Sequence, residues 1–311
     1  MSVVIDGQTL TTEAVHRIAL GAPVSLGSEA RERLKATSPI DAPVLRSKWE
    51  WLVGGDAPAE HDEMVSSFVL GHCAGTGEFL PAPLVRAIIA CRANVLAKGM
   101  SGVRPEVVDG LLSLLEDDVV PLVPRQGSVG AAGCPGLSHI AAVLLGLGGE
   151  AWVGGVRTPV TASRLDFVPT EKEALSLING STLTTALAAI AVERARRILR
   201  VGIDAAALSF EVVRADTNCL DPVAIGLRGQ PGDAVVAEAL RKALTGSSMV
   251  GAWRKPDPFC IRCTPAVIGS AVDAVEHTAA IVDRELNGAC DNPLVLPDGR
   301  LIETGNFHGA P

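Results

Sequence analysis

Apolar residues recur every three or four positions through most of the chain, a spacing that predicts helices rather than strands. Leu84-Val-Arg-Ala-Ile-Ile-Ala-Cys-Arg-Ala-Asn-Val-Leu-Ala-Lys98 keeps this spacing and stops at Gly99, a residue suited to a helix C-terminus. Pro105 to Leu115 reads as another helix, with proline tolerated in the first turn and Glu106 at the positive end of the dipole. Residues 127–136 are a glycine-rich loop by composition, followed by an apolar helix from Leu137 to Leu147. Ser181 to Arg214 holds no proline and one glycine, Gly202, and predicts one long helix or two in line. Glu193, Arg194, Arg196, Arg197 and Arg200 interrupt any twenty-residue apolar run there, which favours a helix buried on several sides over a membrane span. Thr264 to Leu286 is a second long helix, and Asp291 to Ile302 is a turn with a short extended pair around Pro297-Asp-Gly. The fold class is therefore mainly α.

Composition narrows the functional classes. Hydrophobic residues make up 48% of the 311 positions and charged residues 20%, ordinary for a chain with a folded core. The formal net charge of -8, with no basic stripe, argues against a nucleic-acid partner. No basic segment followed by an apolar core opens the sequence, so a cytoplasmic location is expected. Seven cysteines at irregular spacing do not make a secreted disulfide framework, and the lone Cys260-Ile-Arg-Cys263 falls short of the four ligands of a zinc site. No metal and no cofactor is expected. Tyrosine is absent, which removes one common general base.

Six blocks, in order, carry a resemblance to the aromatic amino acid ammonia-lyases and aminomutases. They are Leu70-Gly-His-Cys-Ala-Gly-Thr-Gly-Glu78, Asn94-Val-Leu-Ala-Lys-Gly-Met-Ser-Gly102, Gln126 to His139, Glu173-Ala-Leu-Ser-Leu-Ile-Asn-Gly180, Asp257-Pro-Phe-Cys-Ile-Arg-Cys-Thr-Pro265, and Asp291-Asn-Pro-Leu-Val with Gly305-Asn-Phe-His308. The resemblance implies a long-helix bundle with a smaller N-terminal domain, divided into 1–180 and 181–311. It also implies a composite active site in a homotetramer. In that family a methylideneimidazolone ring forms from consecutive Ala-Ser-Gly. The matching residues here are Ala131-Ala132-Gly133, and alanine has no hydroxyl to eliminate. Ser128, flanked by Gly127 and Val129, does not replace it.

By the same resemblance His72 lines the active site and Asn179 lies against the ring. Arg262 binds the substrate carboxylate, as a planar, always charged fork suits. Phe307 is a wall residue supplied by another subunit, and Phe259 stands where relatives have a tyrosine. His72 and His139 are the candidate bases for an elimination, with Glu173 third. Cys134, at the start of the next helix, is either an inert buried thiol or a nucleophile. The family's tyrosine-bearing lid has no counterpart in Lys48 to Glu60, and Pro256 replaces a glutamine. The chain is also short of relatives at its C-terminal side. Two functional expectations follow. One is a lyase-type elimination or addition on a small carboxylate-bearing, amino-acid-like substrate without the ring, as trimethylammonium-cleaving relatives suggest. The other is a catalytically dead scaffold, regulatory subunit or half of a split lyase whose missing helices come from another chain. No membrane partner is expected in either.

Overall fold

Helix Ala82–Ala97 is covered on nearly every side, and Arg92 and Asn94 are buried with its apolar residues. Buried polar groups persist only when they are hydrogen-bonded, and here the partners come from far along the chain. The computed structural model, which describes residues 2–40, 42–46, 49, 55–251 and 257–309, pairs Arg92 with Asp291 and directs it also to the Ser176 carbonyl. Asn94 accepts from the Gly7 amide and donates to the Leu286 carbonyl, both at 2.9 Å. The Leu10 amide in turn donates to Asn287 Oδ1 at 2.9 Å.

These contacts explain how the chain divides. One compact unit comprises Met1–Ile190 with Val282–Pro311, and the other Ala191–Ile281. This differs from a division at residue 180. The segment after Val282 belongs to the first unit because the polar side chains buried in helix Ala82–Ala97 take their partners from it.

In the first unit, helix Pro105–Glu116 lies where the pattern predicts it. Helix Glu171–Ile178 opens with a reciprocal capping box between Thr170 and Glu173. A three-stranded antiparallel sheet joins Val119–Pro121, Gly149–Val153 and Val156–Val160. Its hairpin turns through Gly154 and Gly155, both at positive φ, as a tight two-residue loop of matching twist requires. Strand Thr76–Phe79 pairs with Pro124–Gln126, and the glycine-rich loop follows directly. The helix after that loop begins earlier than its apolar run suggests, at Cys134, because Gly133 adopts the left-handed conformation and Pro135 is tolerated in a first turn.

The second unit is helical. Its core gathers Ile203, Phe210, Leu220, Val236 and Leu240. Helix Thr182–Val212 is one uninterrupted element of 31 residues, and helix Thr264–Leu286 has the predicted bounds. Within this unit the two are tied by Arg196, which donates to Glu276 at 2.8 and 2.5 Å. The stretch Glu171–Val212 is long and apolar enough to cross a membrane, yet most of its apolar window is buried inside the protein, as in a core helix.

Candidate functional site

Ala132 has φ +61°, a left-handed conformation that costs an L-residue roughly 1–2 kcal/mol. Such a residue persists only where its surroundings hold it. The Ala132 amide donates to the Phe307 carbonyl at 2.9 Å, and the Gly180 amide donates to the Ala132 carbonyl at 2.8 Å. Ala131 bridges His308, and the Gly133 amide folds back onto the Ala131 carbonyl at 2.9 Å, closing a tight turn around Ala132. A side chain at Gly133 would lie 2.8 Å from the Gly180 carbonyl, and one at Gly180 would lie 2.5 Å from Arg92 Nη1. Both glycines are therefore demanded by close approach.

This clamped turn forms the floor of a cavity of about 280 Å³ lined by Val44, Leu45, Phe68, His72, Ala132, Cys134, Leu175, Asn179, Asn292 and Phe307. Larger depressions in the same unit lack its chemistry. One holds Arg86 and Asp118, already paired with each other at 2.6 Å, and another is edged by Asp62, Glu63 and Asp166 beside apolar residues.

His72 caps the C-terminus of helix His61–Gly71 and lies 2.7 Å through Nδ1 from the Phe68 carbonyl. A carbonyl only accepts, so Nδ1 carries a proton, and in the neutral ring Nε2 keeps a lone pair. Asn179 ends helix Glu171–Ile178 and donates through Nδ2 to the Asn292 carbonyl at 2.9 Å. Its Oδ1 is buried and has no hydrogen-bond partner among the described residues, although the side chain is only 9% exposed. Cys134 is half-buried, with the Ala132 carbonyl 3.7 Å from Sγ, and burial raises its thiol pKa. Among the described residues no cluster of three His, Cys, Asp or Glu could hold a metal ion.

The sequence-predicted site residues fall into three groups. His72, Ala132, Cys134, Asn179 and Phe307 converge on the cavity. Phe307 lines the cavity from within the same chain, where the Ala131–His308 bridge holds its segment. His139 is not on the cavity. Five residues beyond Cys134 on a helix is about 140° around the axis, and its Nε2 is buried beside Gly75 and Pro124, where burial lowers its pKa. Glu173 is no base either. Its fully buried carboxylate accepts from Arg104 at 2.9 and 2.7 Å and from the Thr170 amide at 2.9 Å. Arg262 and Phe259 belong to the second unit, where the exposed guanidinium stands 4.9 Å from the Phe259 ring and Nε donates to the Asp257 carbonyl at 2.7 Å. Pro256 and most of Lys48 to Glu60 lie outside the described residues. Asn292 and Leu175 were not singled out from the sequence, though both sit inside the blocks quoted above.

The model of aromatic amino acid lyases matches residues 56–311. This chain belongs to the aromatic amino acid lyase family. The whole chain is 36% identical over 344 residues to a histidine ammonia-lyase of Anaeromyxobacter sp. (strain K), covering 67% of that relative. Its fold is similar to tyrosine aminomutase from Streptomyces globisporus, with TM-score 0.85, 27% identity, and 99% and 66% of the two chains covered. It is also similar to histidine ammonia-lyase from Trypanosoma cruzi, with TM-score 0.82, 32% identity, and 99% and 61% covered. This family member thus spans about two thirds of the length of such relatives.

The ring that the family builds does not fit the residues present. Ala131, Ala132 and Gly133 hold no hydroxyl whose loss would leave an exocyclic methylene, and Ser128 is not on the cavity.

Proposed function

We propose that this lyase-family chain catalyses an elimination or addition on a small carboxylate-bearing, amino-acid-like substrate without the methylideneimidazolone electrophile. The observation that carries the reading is the cavity itself. It holds an imidazole lone pair on His72 and an unfilled buried acceptor on Asn179, side by side with a floor that offers no electron sink. His72 Nε2 takes the β-proton, and Asn179 Oδ1 receives an N–H or O–H of the substrate. For the carboxylate the resemblance offers Arg262, an always charged fork carried by the second unit. With no electrophile to withdraw electrons, the leaving group must depart on its own account, as a quaternary ammonium does and a plain amine does not.

A homo-oligomer belongs to this reading. Ile198, Val201, Leu208 and Val212 are all well exposed and follow alternating three- and four-residue spacing through Ala205, which is the seam of a helix that packs against another. A second copy, or a chain supplying further helices, would cover it. The absence of tyrosine and the alanine at 132 favour the second reading, a non-catalytic member that supports a competent partner.

The test joins light scattering to a substrate screen. The expected result is a homo-oligomer whose mass falls on Leu208→Glu, with unsaturated acid released from quaternary-ammonium acids and lost in Arg262→Ala. Turnover of L-histidine or L-phenylalanine by the pure chain would overturn the ring-free mechanism. A well-folded oligomer inert to every acid in the screen would leave the non-catalytic reading in its place.

A further inference from the structure

We propose that Cys134 is a nucleophile that captures a small α,β-unsaturated carboxylic acid covalently within the cavity beside Ala132. The thiol opens helix Cys134–Leu144 and lines the same 280 Å³ space as His72 and Asn179. Its polar neighbour, the Ala132 carbonyl at 3.7 Å, is a weak partner that does not engage the sulfur lone pairs. Two further observations point to a ligand. Asn179 lines the cavity, and its buried Oδ1 has no partner among the described residues, so an N–H or O–H donor on an occupant that reached it would satisfy it. His72, with Nδ1 committed to the Phe68 carbonyl, keeps its basic nitrogen for a proton.

The step balances without any co-reactant. His72 Nε2 accepts the Sγ proton, and the sulfur lone pair forms an S–C bond to the β-carbon of the acid. The carbon–carbon π bond breaks, its electrons pass to the α-carbon and carboxylate, and the proton returns from the imidazolium to the α-carbon. A thioether results, and the same steps in reverse release it. Burial raises the thiol pKa, so the free thiolate is scarce and the base is needed. Where the family places an electrophile, this cavity thus presents a soft nucleophile. An unsaturated acid is also what the elimination proposed above would release. The ligand class rests on that reading, whereas the reactivity of the thiol does not.

Acrylate is the probe, used on the full chain with peptide mapping by mass spectrometry. The exposed thiols Cys260 and Cys263 serve as internal references. The expected result is a saturable adduct on Cys134 that forms faster than on either reference, is slowed about 100-fold by His72→Gln, and disappears in Cys134→Ser of unchanged circular dichroism. Reaction at Cys134 slower than at the references, or without saturation, overturns the inference even if the variants fail to fold, because it is read on the unmodified protein. An adduct without turnover of any quaternary-ammonium acid upholds Cys134 and sinks the lyase reading. Turnover without an adduct does the reverse.

Discussion

Replacing Arg92 with methionine strips the guanidinium paired with Asp291 and leaves a carboxylate 2% exposed with only the longer-range charge of the buried Lys172 to offset it. Breaking a buried pair from one side costs about 3–5 kcal/mol, because the remaining ion keeps its desolvation penalty. Asp291→Leu alone strands the guanidinium by the same argument. The double variant, Arg92→Met with Asp291→Leu, removes both ions and fills part of their space with apolar atoms. What remains is the unsatisfied Ser176 carbonyl, which Arg92 also served, at about 1–3 kcal/mol. The single losses sum to roughly 6–10 kcal/mol while the double should lose about 1–3, a coupling on the order of 5 kcal/mol. Urea unfolding followed by circular dichroism measures all four corners of the cycle. Additivity to within about 1 kcal/mol would refute the reasoning, since it would mean that the two charges do not depend on each other.

Ala132→Gly should stabilise the fold by about 1 kcal/mol. It removes the left-handed penalty and returns part of the gain through the greater unfolded freedom of glycine; a lower denaturation midpoint would contradict the strain. Lys172 is fully buried, and burial pushes its pKa down from 10.5 to about 8. Between these values the unfolded chain binds the proton and the folded one does not, so the Lys172 contribution to stability should rise from about pH 8 to 10.5 and be flat below 8. Buried thiols such as Cys91 and Cys290, whose pKa burial raises above 9.0, oppose it with a fall. The stability of the wild type relative to Lys172→Met should therefore rise across that window in curves taken at several pH values, the thiols cancelling in the difference; a difference independent of pH would refute it.

The helices were legible because their pattern is local. Ala82–Ala97, Pro105–Glu116 and Thr264–Leu286 follow from apolar spacing and from prolines and glycines at their ends. The helix starts at Cys134, three residues before its apolar run at Leu137: Gly133, Pro135 and Gly136 read as loop by composition, whereas a left-handed glycine and an early proline start a helix. His72, Asn179 and Phe307 could be nominated from their blocks. Their convergence could not, since Phe307 reaches Ala132 from 175 positions away. His139 failed on helix phase, and Glu173 on partners at Arg104 that no local pattern discloses. The pairing of Arg92 with Asp291 joins positions 199 apart and is equally invisible in a local reading.

The clamp on Ala132 also bears on timing. Its amide waits for the Phe307 carbonyl and its carbonyl for the Gly180 amide, and loops of such length close slowly and at an entropic cost. An alanine has little reason to enter the left-handed region before those partners arrive. During synthesis the floor of the cavity must therefore set after residues 305–309 have left the ribosome, so that a nascent chain is blind to ligand until the pocket has been translated through to its far wall.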